Sequence, residues 1–290
     1  MSRSRIAFQG ERGSNSDEAC RAFFPEYEPA PFPAFDDAFD AVRSGVCARG
    51  LIPVENSIAG RVADVHHLLP ASGLRIVGER FKPIRFQLMA NPGVRLEQVE
   101  TVVSMAIALG QCRRTLRRLG VRTEVSGDTA GAARALAVRP DPTRAAVAPA
   151  LAAELYGLAI LLRDIEDEAH NTTRFLVMSA QADPGDVAAG ARCITSFVFR
   201  VRNIPSALYK VLGGFATNGV NMTKLESYME NGAFTATMFY AEVDGRPEQA
   251  PLCGAFEELA FFADHFEVLG VFPADPFRAG QPPPAHARMS

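Results

Sequence analysis

Residues 170–175 read His-Asn-Thr-Thr-Arg-Phe, between the acidic run Arg163 to Glu168 and the apolar segment Leu176 to Ala180. An amide, two hydroxyls, a guanidinium and an aromatic ring are thereby set side by side at the mouth of a strand. Arginine ahead of an apolar strand suits a carboxylate, which it can hold in two parallel hydrogen bonds. A threonine hydroxyl is too weak an acid to ionise, but it can donate a hydrogen bond to an oxygen on which charge develops. The other candidates are of the same polar, largely non-titrating kind: Ser14, Asn56, Ser57, Gln111 and Thr129 join Asn171, Thr172, Thr173 and Arg174. Taken singly, each also makes an ordinary cap or turn residue, and the Thr172–Thr173 pair also suits a strand.

Other chemistries lack their residues. His66 and His67 are adjacent and so diverge on a helix, His170, His265 and His286 are far apart, and HExxH is absent, so no metal is expected. Gly10-Glu11-Arg12-Gly13 lies between a strand and a helix but lacks the middle glycine of a dinucleotide fingerprint, and no phosphate-loop lysine follows. No cofactor is therefore expected. GxSxG is absent too, which removes the commonest hydrolase signature. The 30 basic and 33 acidic residues leave a formal charge of −3, too balanced for a nucleic-acid partner. The 5 cysteines are scattered and form no CxxC pair, which suggests reduced thiols rather than disulfides or zinc. Neither an apolar leader nor a run of about 18 uncharged apolar residues occurs, so a cytoplasmic protein without membrane association is expected.

The elements that must position these residues follow from patterning. At 290 residues and 48% hydrophobic composition, about two domains with buried cores are expected. Apolar runs at 5–10, 50–56, 86–90, 145–149 and 174–180 read as strands separated by amphipathic, alanine-rich stretches, an α/β pattern. At 8–19, 52–60, 103–112 and 125–136 a strand runs into a small polar cluster and then a predicted helix, with Asn15 and Glu18 at capping-box spacing. Asn56 and Ser57 are accordingly expected at a helix N-terminus. Several such N-termini facing one cleft would suit a small anion. Residues 179–192 read as a linker, and beyond them the pattern predicts βαββαβ, a ferredoxin-like sandwich. In that part a helix carrying Leu208, Val211, Leu212 and Phe215 is predicted to stop at Asn218-Gly219, and a turn is expected around Glu230 to Ala233.

Five stretches, NTTRF (171–175), PVENSIAG (53–60), ALGQC (108–112), DTAGAA (128–133) and ELYGLAILLRDIED (154–167), together resemble prephenate dehydratase. The similarity runs from about Ile6 to Pro273, and residues 205–227 resemble the effector-binding segment of that family's ACT regulatory domain. The resemblance implies an α/β fold in which residues 1–180 form a two-lobed, periplasmic-binding-protein-like catalytic domain with the active site between the lobes. A ferredoxin-like ACT domain at 193–273 would follow, and by its composition, with Pro276 and the prolines at 282–284, the tail at 274–290 is expected to be disordered.

It also implies a carbon-oxygen lyase that converts prephenate to phenylpyruvate in L-phenylalanine biosynthesis, without cofactor, under feedback control by L-phenylalanine. Arogenate dehydratase and a non-catalytic amino-acid-sensing protein are the alternatives. By the same resemblance Thr173 is catalytic, and Arg174, Phe175, Asn56, Ser57, Ser14, Gln111, Thr129 and Asn171 bind substrate. Ser206, Ala207, Leu208, Asn218, Asn221, Leu225, Glu226 and Ser227 would bind phenylalanine, in a homodimer or homotetramer. The chain departs from the family pattern at Met105, Ala106 and Ile107, which replace His-Pro-Gln, and at Ser206, which replaces a glycine.

Overall fold

The computed structural model describes residues 3–182, 191–229 and 236–280. The chain begins with β1 (Arg5–Gln9), α1 (Asn15–Phe23), β2 (Glu28–Phe32), α2 (Phe35–Arg43), β3 (Arg49–Asn56), β4 (Gly60–Arg61), α3 (Ala63–Ala71) and β5 (Arg75–Pro83). There follow β6 (Gln87–Ala90), β7 (Thr101–Ser104), α4 (Ala106–Gln111), α5 (Arg113–Leu119), β8 (Arg122–Val125), α6 (Thr129–Val138) and β9 (Arg144–Ala148). Next come α7 (Ala150–Tyr156), β10 (Ala159–Leu162), β11 (Thr172–Ser179), β12 (Cys193–Val201), α8 (Ala207–Thr217) and β13 (Met222–Met229). The last elements are β14 (Ala236–Asp244), α9 (Ala250–Phe262), β15 (Ala263–Pro273) and α10 (Phe277–Gly280).

Two compact units result: Met1–Leu68 with Phe81–Leu176, and Leu69–Arg80 with Val177–Ser290. The first holds two α/β layers. One sheet carries the order β2-β1-β3-β11, with β4 paired to β3, and the other the order β10-β6-β9-β7-β8. In the second sheet Leu88 and Val147 join one core cluster while Met89, Ala146 and Ala148 join another, so both faces of the sheet are covered. Strand β2 carries Pro29 and Pro31 opposite Ile6 and Phe8. It holds because it is the sheet's edge strand, where a missing N–H costs no ladder bond.

The second unit has βαββαβ connectivity and an antiparallel sheet ordered β13-β14-β12-β15. Phe197, Phe199 and Val201 of β12 and Phe239, Ala241 and Val243 of β14 face α8 and α9 in one core, following the period of two along each strand. Helix α8 ends at Asn218 with Gly219 at φ +69°, the expected stop. Residues 69–80 also belong to this unit, where Gly270 passes so close to the Ile76 backbone that a Cβ would collide with its carbonyl oxygen. The tail expected to be disordered from 274 is ordered through 280: Asp275 and Arg278 hydrogen-bond Glu79. Residues 281–290, the expected turn at 230–233 and residues 183–190 of the linker lie outside the described residues.

Candidate active site

The Asn56 signal resolves differently from the expected helix start. Asn56 ends β3, its Oδ1 accepts the backbone N–H groups of Ile58 (3.0 Å) and Ala59 (2.9 Å), and the chain returns as β4. This is an Asx turn closing a short hairpin rather than a helix N-cap, so no helix dipole serves Asn56 or Ser57. Ser57 still lies against the signature segment: its Oγ donates to the carbonyl of His170 (2.9 Å) and accepts from the N–H of Thr172 (3.0 Å).

Asn56 Nδ2 lies 3.0 Å from Thr173 Oγ1, 2.8 Å from Asn171 Oδ1 and 3.3 Å from the carbonyl of Thr172. Asn171 is fully buried and donates from Nδ2 to Gln111 Oε1 (3.0 Å). Gln111 Nε2 donates back to Asn56 Oδ1 (3.3 Å). Residues 56, 111, 171 and 173 are thus brought together from three well-separated segments into one uncharged network. Beside it opens a cleft of about 370 Å³ lined by Ile58, Ile107, Gln111, Arg114, Asp167 and Glu168, among others.

Arg174 and Phe175 face inward. Strand alternation puts Phe175 on the Thr173 side but two residues deeper, where it is 1% exposed in the core. A ring so placed packs in the core rather than in the cleft lining, which departs from the expectation that it binds substrate. The carboxylate that Arg174 holds is that of Glu55, at 3.1 Å, and its guanidinium lies 5.9 Å from the Phe81 ring centre. At 3% exposure, Arg174 braces β11 against β3 rather than reaching for an anion.

Ser14 and Asp128, the residue before Thr129, gather around Gly10, where a Cβ would lie 3.5 Å from Ser14 Oγ and 3.4 Å from Asp128 Oδ2. Ser14, not Asn15, is the N-cap of α1 and accepts from the N–H of Asp17. Asp128 caps α6 by accepting from the N–H of Gly131, and Thr129 is the first helical residue. Burial pushes the Asp128 carboxyl up against the lowering effect of that bond, and the nearby Glu11 adds to the rise.

Of the residues expected to bind an effector, Ser206 and Leu208 flank the start of α8 with Ala207, which is buried. Asn218 lies at the other end of an 11-residue helix, roughly 16 Å away at 1.5 Å per residue. Asn218 hydrogen-bonds Gly214 O and Glu258, and Asn221 hydrogen-bonds Asp244, so both amides serve the fold. Leu225 and Ser227 are exposed on the edge strand β13, and Glu226 pairs with Lys224 at 2.8 Å. Ser206 adopts φ +67°, the left-handed region in which a glycine is at ease.

Arg114 and Ile107 also line the cleft, although neither is among the expected site residues. Arg114 follows Gln111 by three positions, a helical spacing that could have pointed to a shared face.

A family model described as prephenate dehydratase matches residues 6–183. The chain is 46% identical over 274 residues to a bifunctional N-acyl-homoserine lactone acylase/prephenate dehydratase of Komagataeibacter europaeus, covering 94% of this chain and 97% of the relative. It is 36% identical to arogenate dehydratase/prephenate dehydratase 2 of Arabidopsis thaliana, covering 94% of this chain and 74% of the relative. Prephenate dehydratase of Arthrobacter aurescens, solved in complex with L-Phe, superposes with a TM-score of 0.85 at 27% identity, covering 93% and 90% of the two chains. With the signature threonine held in a neutral polar network and these matches spanning nearly the whole sequence, the chain belongs to the prephenate dehydratase family.

Proposed function

We propose that this protein catalyses the decarboxylating dehydration of prephenate to phenylpyruvate, with Thr173 at the reacting centre. Prephenate carries a ring carboxylate, a pyruvyl carboxylate and a 4-hydroxyl. As the ring carboxylate leaves as carbon dioxide, its bonding pair enters the ring and the 4-hydroxyl departs with the electrons that aromatisation displaces. The products are phenylpyruvate, carbon dioxide and hydroxide. Aromatisation supplies the driving force, so the protein's task is to orient the dianion and stabilise charge on the departing oxygen.

The observation that carries the reading is the Thr173 hydroxyl, hydrogen-bonded by Asn56 within a network that shares Gln111 with an open cleft. Thr173 donates to the leaving hydroxyl. Gln111 and Ser57 serve as polar contacts for substrate, and Ser14 and Thr129 at the α1 and α6 starts as further ones. Arg174 acts indirectly, by fixing β11. The pyruvyl group has an amino counterpart in arogenate, and the relatives named as acting on arogenate favour that substrate as a second reading.

The C-terminal βαββαβ unit is an ACT regulatory domain that binds L-phenylalanine. Supporting this are its strand order, the exposed edge strand β13 and the L-Phe complex of the Arthrobacter relative. The α8 start (Ser206 to Leu208) and the β13 segment Leu225 to Ser227 form the binding elements, completed by pairing of subunits into a homodimer or homotetramer.

Purified protein is incubated separately with prephenate, arogenate and an N-acyl-homoserine lactone, since one relative's name couples that acylase to the dehydratase. Phenylpyruvate formation from prephenate, reduced by added phenylalanine, is the expected result. Turnover of arogenate alone would move the assignment to the second reading, and absence of both activities would remove the catalytic role.

A further inference from the structure

We propose that the side-chain amides of Asn56, Asn171 and Gln111 form a one-way hydrogen-bonded ring that aims the Thr173 proton at the substrate, which makes Asn56 a positioning residue. The proposal rests on the reading of Thr173 given above.

The polarity of such a ring is usually open, because an amide's oxygen and nitrogen have the same shape and either can face a neighbour. Here it is pinned at one corner. The backbone N–H groups of Ile58 and Ala59 can only donate, so the Asn56 atom they meet, at 3.0 and 2.9 Å, must be the oxygen. Its Nδ2 therefore gives its two protons to the nearest acceptors, Asn171 Oδ1 (2.8 Å) and Thr173 Oγ1 (3.0 Å), ahead of the Thr172 carbonyl at 3.3 Å. Asn171, having used its oxygen, must give Nδ2 to Gln111 Oε1 (3.0 Å), and Gln111 must return Nε2 to Asn56 Oδ1 (3.3 Å). Each amide donates to the next around a closed circle. Reversing the circle would set the Asn56 NH₂ against two backbone N–H groups, so one direction alone is consistent.

The consequence falls on Thr173. Its hydroxyl has one proton and two acceptor positions, and Asn56 fills an acceptor position. The proton is left to point elsewhere, as donation to a departing hydroxide requires. A ring of the opposite hand would accept that proton and consume the group the reaction needs. The ring also achieves this without adding charge beside a dianionic substrate, where a carboxylate would repel and an ammonium would compete for the carboxylates.

The test is Asn56→Asp, with Gln111→Glu as its control, assayed on the full chain with prephenate from about pH 8 to about pH 5. An ionised carboxylate at 56 can only accept, so it captures the Thr173 proton. The expected kcat is about 10²-fold below the parent at high pH. On acidification the new acid gains an O–H that can donate to Thr173, and kcat recovers by about tenfold or more. Gln111→Glu places the same charge on the ring and on a substrate contact, where it repels the dianion and raises KM, but it leaves Asn56 pinned by Ile58 and Ala59, so kcat itself falls by less than about tenfold. A kcat for Asn56→Asp within about threefold of the parent overturns the proposal, as do equal losses and matching pH profiles in the two variants. If Asn56→Asp does not fold, Asn56→Ala replaces it, with about the same loss in kcat expected and no recovery in acid; near-parental turnover there is equally fatal. Failure of the parent itself to convert prephenate would instead remove the dehydratase reading on which the ring's role depends.

Discussion

Each unit buries a polar network, and the two are built on opposite principles. In the first, Asn56, Asn171, Gln111 and Thr173 join neutral groups only. In the second, the carboxylates of Glu79 and Glu242, both fully buried, share the guanidinium of Arg278 at 2.6 and 3.2 Å, and Tyr240 donates to Glu242 at 2.5 Å. Ser196 extends that chain to Tyr240. A neutral network can stand beside a dianion and change neither charge nor shape with pH, which suits a reaction centre. An ionic network is a staple: it ties residues 79, 242 and 278, far apart in sequence, at the cost of making each charge depend on the others. Burial alone therefore does not tell a site from a clasp. The formal charge of the groups, and whether one hydroxyl is left to act outward, does.

The largest expected effect breaks the staple. Arg278→Met leaves Glu79 and Glu242 without the charge they share, and stability should drop by about 3 kcal/mol. Glu79→Gln in the same chain should recover part of it, because one of the two buried charges is gone; denaturant unfolding of the parent, single and double variants measures both. An unchanged midpoint for Arg278→Met would mean that the clasp contributes nothing to the fold.

Next in size is the loss of the outward hydroxyl. Thr173→Ala should reduce kcat by about 10²-fold, equivalent to ~2.7 kcal/mol, while Thr173→Ser stays within about tenfold of the parent. The unfolding midpoint should move far less than for Arg278→Met, since a neutral ring that loses Thr173 strands no charge. Steady-state kinetics and thermal melts on the same preparations separate the two effects.

The sequence made one of these regions far more legible than the other. The βαββαβ order, the α8 stop at Asn218-Gly219 and the strand alternation of β12 are local signals, and the structure has each of them. The neutral network was legible only as a set of residues. An Asn oxygen that accepts the N–H groups two and three residues on makes the same bonds in an Asx turn as in a helix cap, so Asn56 gave no local sign that a hairpin would follow. The inward turn of Arg174 depends on Glu55, which is 119 positions away. The ionic staple was invisible for a similar reason: Pro276 and the proline run after it suggested disorder, while Arg278 finds its partners only in the folded unit. Strand β2 was hidden by its prolines, which only the edge position excuses.

A smaller effect sharpens the contrast at the proposed effector end. Ser206 holds φ +67° at the start of α8, a conformation that costs a residue with a Cβ roughly 1 kcal/mol or more. Glycine relieves that strain but loses more freedom on folding, so Ser206→Gly should stabilise the protein by only about 0.5 kcal/mol. Thermal unfolding checks the sign. Destabilisation would show that the Ser206 side chain makes a contact worth more than the strain it carries.

The smallest effect converts a half-buried carboxylate into an amide, the chemistry the site itself uses. Burial holds the Asp128 carboxyl above its ordinary range despite the hydrogen bond from the Gly131 N–H. Because the folded pKa lies above the unfolded one, the unfolded chain releases this proton first as pH rises. Between the two values the folded state binds more protons, so stability falls with rising pH across that window and stays lower above it. Asp128→Asn keeps an equally good N-cap and removes the titration, at the loss of a favourable interaction between the charge and the helix N-terminus. With the lost dipole interaction set against the relief of burying a charge, the net change at neutral pH should be under about 0.3 kcal/mol. The informative quantity is the difference between variant and parent, which should move in favour of asparagine as pH rises from the ordinary carboxylate range through the raised value. Chemical denaturation at a series of acidic to neutral pH values measures it. A difference that stays constant across the series would mean that Asp128 ionises alike in the folded and unfolded chains.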